Sequence, residues 1–119
     1  MGWFSRQKRV HKAVNAGNAV EVSEEGGVRY LHLGSRTVQS AMRLTRPYDL
    51  ELEYTRRMMA FLLFLPQPRQ VALIGLGGGS LAKFIHRQLP ATRCVTVEID
   101  PQVIAAARAW FALPPDDDR

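Results

Sequence analysis

The strongest constraint on the fold is a short apolar run that leads directly into a cluster of glycines. Residues 71–74 are continuously apolar, a pattern typical of a parallel strand that is covered on both faces. The loop Gly75-Leu76-Gly77-Gly78-Gly79-Ser80 follows at once, and apolar residues then recur at helical spacing until Pro90. The segment therefore predicts a buried strand, a glycine-rich turn and a helix.

A second apolar run repeats this arrangement. Residues 94–97 predict a strand that ends in Glu98-Ile99-Asp100, and Pro101 follows. Asp100 before proline is typical of a helix start, because aspartate caps the first turn and proline presets its φ angle. We expect this helix to reach Phe111. Strands and helices of these lengths in alternation predict a right-handed parallel unit, so the fold class is α/β.

The preceding residues favour antiparallel structure. Residues 20–22 and 28–33 flank Gly26-Gly27, and glycine pairs supply the positive φ angles that tight hairpin turns require. Residues 37–42 predict a third strand. Residues 50–65 have a helix-forming composition, and because their later half is apolar nearly all round we expect it to be buried.

These patterns divide the chain into four parts. They are a basic tail (1–18), an N-terminal β-hairpin region (19–49), a linking helix with a proline spacer (50–69) and an incomplete Rossmann-like nucleoside-binding domain (70–119). The net charge of +5 arises from four basic residues among the first twelve. We expect this tail to be a solvated extension and the protein to have no nucleic-acid partner.

Other classes of site and location are also disfavoured by composition. The longest apolar stretch is far shorter than the roughly 20 residues that cross a bilayer, so we expect no membrane partner. The three histidines are scattered without ligand spacing, so we expect no metal site. The single cysteine, Cys94, cannot form an internal disulfide, which favours a reducing, cytoplasmic location.

The candidate site combines the glycine loop with one carboxylate. Gly75, Gly77 and Gly79 let the backbone approach a ligand closely, in a G-x-G-x-G spacing that is common in S-adenosylmethionine-binding domains. Glu98 ends the neighbouring strand, where a carboxylate can accept hydrogen bonds from both ribose hydroxyls. Because both features lie at the carboxyl ends of adjacent strands, we expect them to meet. The alternative is a flexible turn beside a solvated glutamate, and helix capping alone explains Asp100.

Together with Glu51-x-x-Tyr54, these motifs resemble the polyamine aminopropyltransferases, the spermidine synthase family, from about Val20 onwards. The resemblance implies transfer of an aminopropyl group from decarboxylated S-adenosylmethionine to an amine such as putrescine, by a homodimer when full length. It also implies that Glu98 holds the ribose and that the three glycines shape the nucleoside pocket. Gln39 and Tyr54 would line the cleft, Gln39 as a donor-binding residue and Tyr54 as a substrate-binding residue.

Several positions depart from the family pattern. Gly78 replaces an acidic residue of the loop, and Leu50 replaces the first acid of Asp-Glu-x-x-Tyr. The sequence stops before the family's next strand and its proton-accepting aspartate, so we assign no catalytic residue. We expect an inactive N-terminal fragment with exposed sheet edges and apolar surface. The alternatives are an S-adenosylmethionine-dependent methyltransferase and a non-catalytic fragment or dimerisation module.

Overall fold

The computed structural model describes residues 7–15 and 18–119, and their N-terminal part forms one antiparallel sheet of four strands in sequential order. Gly26 and Gly27 make the turn between the second and third strands with φ angles of 58° and 78°. This is the backbone that a tight hairpin requires. The strands are β1 (Lys8–Asn15), β2 (Asn18–Glu25), β3 (Val28–Leu33) and β4 (Val38–Arg43).

Strand β1 corrects the interpretation of the first residues as a solvated tail. It pairs with β2 at the edge of the sheet, where Lys12 lies opposite Glu21 and the Arg9 Nε donates to Glu21 Oε1 at 2.9 Å. Charged side chains are compatible with a strand at this position, since an edge strand keeps one side in water. Residues 1–6, 16 and 17, the rest of the predicted tail apart from Gln7 and Asn18, lie outside the described residues.

The predicted helix over residues 50–65 is shorter than expected. Helix α1 covers Glu53–Met58, and a 3-10 turn continues it over Met59–Leu63. The expectation that its apolar end is buried is wrong, because the side chains of Leu63 and Phe64 are 81% and 89% exposed. A short helical segment presents only one stripe to a core, and here Thr55 and Met59 occupy that stripe.

The α/β unit has the predicted order, which confirms the fold class. Strand β5 (Gln70–Ile74) pairs in parallel with β6 (Arg93–Val97), and Ile74 lies opposite Val97. Helix α2 (Ser80–Gln88) follows the glycine loop, and helix α3 (Pro101–Trp110) follows β6. The Asp100 Oδ1 accepts from Gln102 N at 2.8 Å, so Asp100 caps α3 as predicted.

Only one face of the parallel pair is covered by the described residues. Val71, Leu73 and Cys94 pack against a core that includes Ile85 of α2. Ile74 and Val97, on the opposite face, are 95% and 61% exposed. The prediction of a strand covered on both faces is therefore wrong, because the packed helical segments lie on one side, whereas the expectation of exposed apolar surface is confirmed.

Helix α3 joins the two sheets. Its Val103 and Ala106, together with Phe111, share a core with apolar residues of the antiparallel sheet. The Arg29 Nη1 of β3 also donates to the Trp110 carbonyl at 2.6 Å. This packing places β4 beside the glycine loop, where Ser40 contacts Gly78.

Candidate functional site

The loop between β5 and α2 has a conformation that requires glycine. Gly75, Gly77 and Gly79 have φ angles of 90°, 55° and 74°, a region that residues with a Cβ rarely adopt. Gly79 also serves as the N-cap of α2. The spacing of these three glycines therefore follows from the backbone path of the loop.

Glu98 lies against this loop. Its Oε1 accepts from Leu76 N at 2.9 Å, and its Oε2 accepts from Asp100 N at 3.1 Å. Desolvation by burial acts to raise the pKa of Glu98, but backbone hydrogen bonds, led by that from Leu76, outweigh it and lower the pKa below its ordinary value. The structure thus brings the glycine loop and an ionised carboxylate together, as the strand order predicts.

The N–H groups of the loop point toward protein acceptors. Gly75 N donates to the Val97 carbonyl at 2.7 Å, and Gly79 N donates to the Leu76 carbonyl at 2.9 Å. Gly78 N donates to the Ser40 Oγ at 2.9 Å. Phosphate-binding loops instead aim successive N–H groups at the anion. A ligand can therefore approach the backbone of this loop closely, but few of its N–H groups are free to donate a hydrogen bond to that ligand.

Ser40 is a site neighbour that sequence reasoning missed. It is 5% exposed on β4, and a Cβ placed on Gly78 would lie 2.8 Å from the Ser40 Cβ. A small polar residue in an apolar strand is the only sequence signal, and it does not identify a partner 38 residues away.

Gln39 and Tyr54 are brought together beside this contact. The Tyr54 Oη donates to the Gln39 carbonyl at 2.9 Å, and both side chains are exposed. Leu31 pairs with Ser40 and His32 pairs with Val38, so Gln39 is an extra residue that forms a β-bulge. Bulges redirect side chains and free a backbone group from the ladder, which explains the carbonyl available to Tyr54.

A cavity of about 400 Å³ opens next to Glu98. Its apolar lining includes Leu76, Ile104 and Leu113, while Asp116 and Arg119 contribute charge. The cavity meets the predicted site residues only at Glu98, since its lining does not include the three glycines, Gln39 or Tyr54. Its volume is within the range of small-molecule pockets.

A buried lysine, Lys83, holds the residue that packs beneath the glycine loop. Lys83 of α2 is 1% exposed, and its Nζ donates to the Phe111 carbonyl at 2.7 Å. Burial lowers the pKa of Lys83 to about 8. The Phe111 ring lies beneath the loop, 3.1 Å from the position of a Cβ on Gly78. No sequence signal marks Lys83 for this role, because lysine on an amphipathic helix is ordinarily solvated.

Two further properties concern the described residues alone. Within residues 7–15 and 18–119, no three His, Cys, Asp or Glu side chains are grouped so that they could hold a metal ion. Over the same ranges, no helix has the length and apolar character needed to span a bilayer.

The chain is similar to several proteins over most of its length. It is 54% identical over 112 residues to a polyamine aminopropyltransferase of Chromobacterium violaceum, a match that covers 94% of this chain and 43% of that protein. A protein of the same name from Neisseria meningitidis serogroup B is 51% identical over 108 residues, covering 90% of this chain and 41% of the relative. An eEF1A lysine and N-terminal methyltransferase of Xenopus laevis is 40% identical over 82 residues, covering 63% of this chain and 12% of the relative. No family model matches the chain.

Solved structures share the fold. A probable spermidine synthase from Corynebacterium glutamicum superposes with a TM-score of 0.70 at 20% identity, covering 89% of this chain and 41% of that one. A spermidine synthase in complex with the transition state analogue AdoDATO gives a TM-score of 0.63 at 21% identity, covering 87% of this chain and 33% of that one. The chain spans about two fifths of the length of the aminopropyltransferases that it matches. Over that span, the chain is similar in sequence to the corresponding part of the polyamine aminopropyltransferases.

Proposed function

We propose that this chain is part of an enzyme that binds decarboxylated S-adenosylmethionine and transfers its aminopropyl group to a small amine such as putrescine. The observation that carries the proposal is the Glu98 carboxylate held 2.9 Å from Leu76 N of the glycine loop. A carboxylate oxygen has lone pairs beyond those used by one backbone N–H. Glu98 can therefore accept from the ribose hydroxyls while it remains attached to the loop.

The space around the loop suits a nucleoside. A Cβ on Gly75 would meet no atom within 4 Å, so the backbone is open on that side and a ligand can approach it. The cavity beside Glu98 offers the apolar side chains of Leu76 and Ile104 to a purine base. We propose that the ribose binds at Glu98, that the base enters this cavity, and that Gly75, Gly77 and Gly79 lie along the nucleoside.

The direction of the loop N–H groups favours a cationic ligand over a phosphate. Three of these groups donate to Ser40, Val97 and Glu98, so they are not directed at an anion. A dinucleotide needs such donors for its pyrophosphate, whereas a sulfonium nucleoside does not. This difference supports an S-adenosyl ligand.

Gln39 is assigned to binding of the donor, and Tyr54 is assigned to binding of the amine substrate. Their hydrogen bond places a phenol and an exposed amide at the edge of the sheet next to the loop. In the proposed reaction the amine nitrogen attacks the carbon bonded to sulfur, the C–S bond breaks, and its electron pair goes to sulfur to release methylthioadenosine. Orientation of the two substrates supplies much of the rate, and the amine proton passes to a base. We assign that base to none of the described residues.

A methyltransferase of the same fold is the second candidate, and two observations favour it. The Xenopus relative carries that name. In addition, Ser40 and Phe111 occupy the space that a side chain at position 78 would need, so a loop carboxylate for the donor amine does not fit. The two candidates differ in whether the donor retains its carboxyl group.

The proposal includes a homodimer in the cytoplasm. The exposed side chains of Leu63 and Phe64 provide apolar surface for association, and the single free cysteine, Cys94, suits a reducing compartment. Light scattering of the purified protein tests the dimer, and a monomeric mass at micromolar concentration would contradict it.

Calorimetric titration tests the function. We expect decarboxylated S-adenosylmethionine to bind more tightly than S-adenosylmethionine, NAD to bind weakly, and Glu98→Gln to lose about tenfold in affinity for the preferred donor. Asp100→Asn is the matched control, because it removes a charge from the same turn and keeps a capping side chain. A reversed preference between the two donors supports the methyltransferase. Equal binding by Glu98→Gln and the unsubstituted chain contradicts the nucleoside site.

A further inference from the structure

Ser40 links the antiparallel sheet to the glycine loop. Its hydroxyl oxygen accepts from Gly78 N at 2.9 Å, and both residues are buried. A lost partner would leave a buried N–H group without an acceptor. The contact joins β4 of the antiparallel sheet to the loop that follows β5, so it couples the position of β4 to the shape of the loop.

Packing at this point is close enough to set the loop conformation. A Cβ on Gly78 would lie 2.8 Å from the Ser40 Cβ, and one on Gly77 would lie 3.0 Å from the Ser40 Oγ. Gly78 does not share the positive φ angle of Gly77 and Gly79. Space alone therefore demands glycine at position 78, and Ser40 fills most of that space.

The same strand also holds the other side of the proposed site. Gln39 precedes Ser40, and its carbonyl accepts from the Tyr54 Oη at 2.9 Å. The bulge at Gln39 interrupts the regular alternation of β4, and the buried Ser40 contacts the loop while the Gln39 side chain remains exposed. A shift of Ser40 would move the nucleoside loop relative to Gln39 and Tyr54.

We infer that Ser40 is a positioning residue of the nucleoside site, which holds the glycine loop in its ligand-binding shape through the Gly78 N–H. This role rests on the proposed function, since it acts on the loop that binds the nucleoside. Ser40 itself does not touch the ligand. Its loss should weaken nucleoside binding beyond the effect of an equally buried serine elsewhere.

The test measures the dissociation constant of methylthioadenosine together with thermal stability. Ser40→Ala should weaken binding about fivefold, the effect of one net hydrogen bond. Ser23→Ala is the matched control, because Ser23 is 3% exposed on the same sheet and bonds to His32 Nε2 at 3.1 Å, away from the loop. We expect a similar loss of stability in both variants and unchanged binding in the control. Ser40→Cys keeps the volume with a weak acceptor and should also bind less tightly.

A second set of variants tests the close contact between Ser40 and Gly78 directly. Gly78→Ala should weaken binding in the unsubstituted chain, and Ser40→Gly should restore part of that loss because it removes the nearest atoms. Hydrogen exchange at the Gly78 amide should accelerate in Ser40→Ala and not in Ser23→Ala. Equal methylthioadenosine affinity in the unsubstituted chain, Ser40→Ala and Ser40→Cys would overturn the inference alone. Failure of the unsubstituted chain to bind would overturn the proposed function, and this inference with it.

Discussion

Replacement of Glu98 by alanine should loosen the contact between the glycine loop and the residues that follow β6. The carboxylate accepts from Leu76 N and Asp100 N at 2.9 and 3.1 Å, and Glu98→Ala removes both acceptors. A net hydrogen bond contributes about 1 kcal/mol, so the free energy of unfolding should fall by about 2 kcal/mol. Hydrogen bonds to charged acceptors can contribute more free energy than this. Those larger values do not apply here, because the Glu98 side chain is only half-buried and water can replace part of the lost hydrogen bonding.

The pH dependence gives the sign of this contribution. The pKa of Glu98 is lower in the folded protein than its ordinary value, so the folded state favours the ionised carboxylate. The stabilisation is therefore present above the ordinary pKa of glutamate and is lost as the pH falls through the lowered value. Urea denaturation of the unsubstituted chain and Glu98→Ala should show a difference at neutral pH that shrinks on acidification.

A carboxylate in open solvent provides the comparison. Glu53 forms an ion pair with Arg57 on α1, but its side chain is 72% exposed. Glu53→Ala should change the free energy of unfolding by less than about 0.5 kcal/mol. A Glu98→Ala variant as stable as Glu53→Ala, or a stability difference that does not shrink in acid, would refute the stabilising role of the Glu98 contact.

Three further substitutions have expected outcomes. Asp100→Ala removes the cap of α3 and should lower the free energy of unfolding by about 1 kcal/mol in urea denaturation, with an unchanged value contradicting the cap. Between pH 8 and 10.5, Lys83 binds fewer protons in the folded chain than in the unfolded chain. The free energy of unfolding of the unsubstituted chain, relative to that of Lys83→Met, should therefore rise with pH. A difference in free energy that does not change with pH would contradict the lowered pKa. Phe64→Ser should change the free energy of unfolding of the monomer by less than about 0.5 kcal/mol, because Phe64 is 89% exposed, and a large loss would show that its side chain is packed within the monomer.

The meeting of Glu98 with the glycine loop could be predicted from sequence because it depends on local rules. Two short apolar runs separated by a helix pair in parallel, and their carboxyl ends then lie at one edge. The cap at Asp100 follows in the same way from one side chain and the residues next to it. Neither prediction requires knowledge of how distant elements pack.

The parts that sequence did not reveal depend on such packing. Ser40 reaches Gly78 through the packing of the antiparallel sheet against the α/β unit, and the bulge opposite β3 leaves the Gln39 carbonyl available to Tyr54. Periodicity carries no information on either event. The apolar composition around Leu63 and Phe64 was misinterpreted as burial, since composition measures hydrophobicity and does not identify a covering element.

Strand β1 was not predicted from the sequence because its basic residues were interpreted as a solvated tail. Lys8, Arg9 and Lys12 suggested a solvated tail, but in β1 they lie at the edge of the sheet, and Lys8 and Lys12 pair with Glu24 and Glu21 of β2. Cross-strand pairs of opposite charge stabilise a sheet, yet their register is not visible before the partner strand is known. Charge along a segment is therefore a poor guide to its backbone structure when acids follow nearby.

The proposed contact between Glu98 and a ribose is tested most directly by measuring the binding of two ligands to two proteins. Methylthioadenosine and its 2′-deoxy analogue differ by one hydroxyl, and their dissociation constants can be measured for the unsubstituted chain and for Glu98→Ala. We expect the missing hydroxyl to weaken binding to the unsubstituted chain by about fivefold and to have no effect on binding to Glu98→Ala. The same loss in both proteins would show that the hydroxyl binds elsewhere, and would contradict the assignment of Glu98 as the ribose-binding residue.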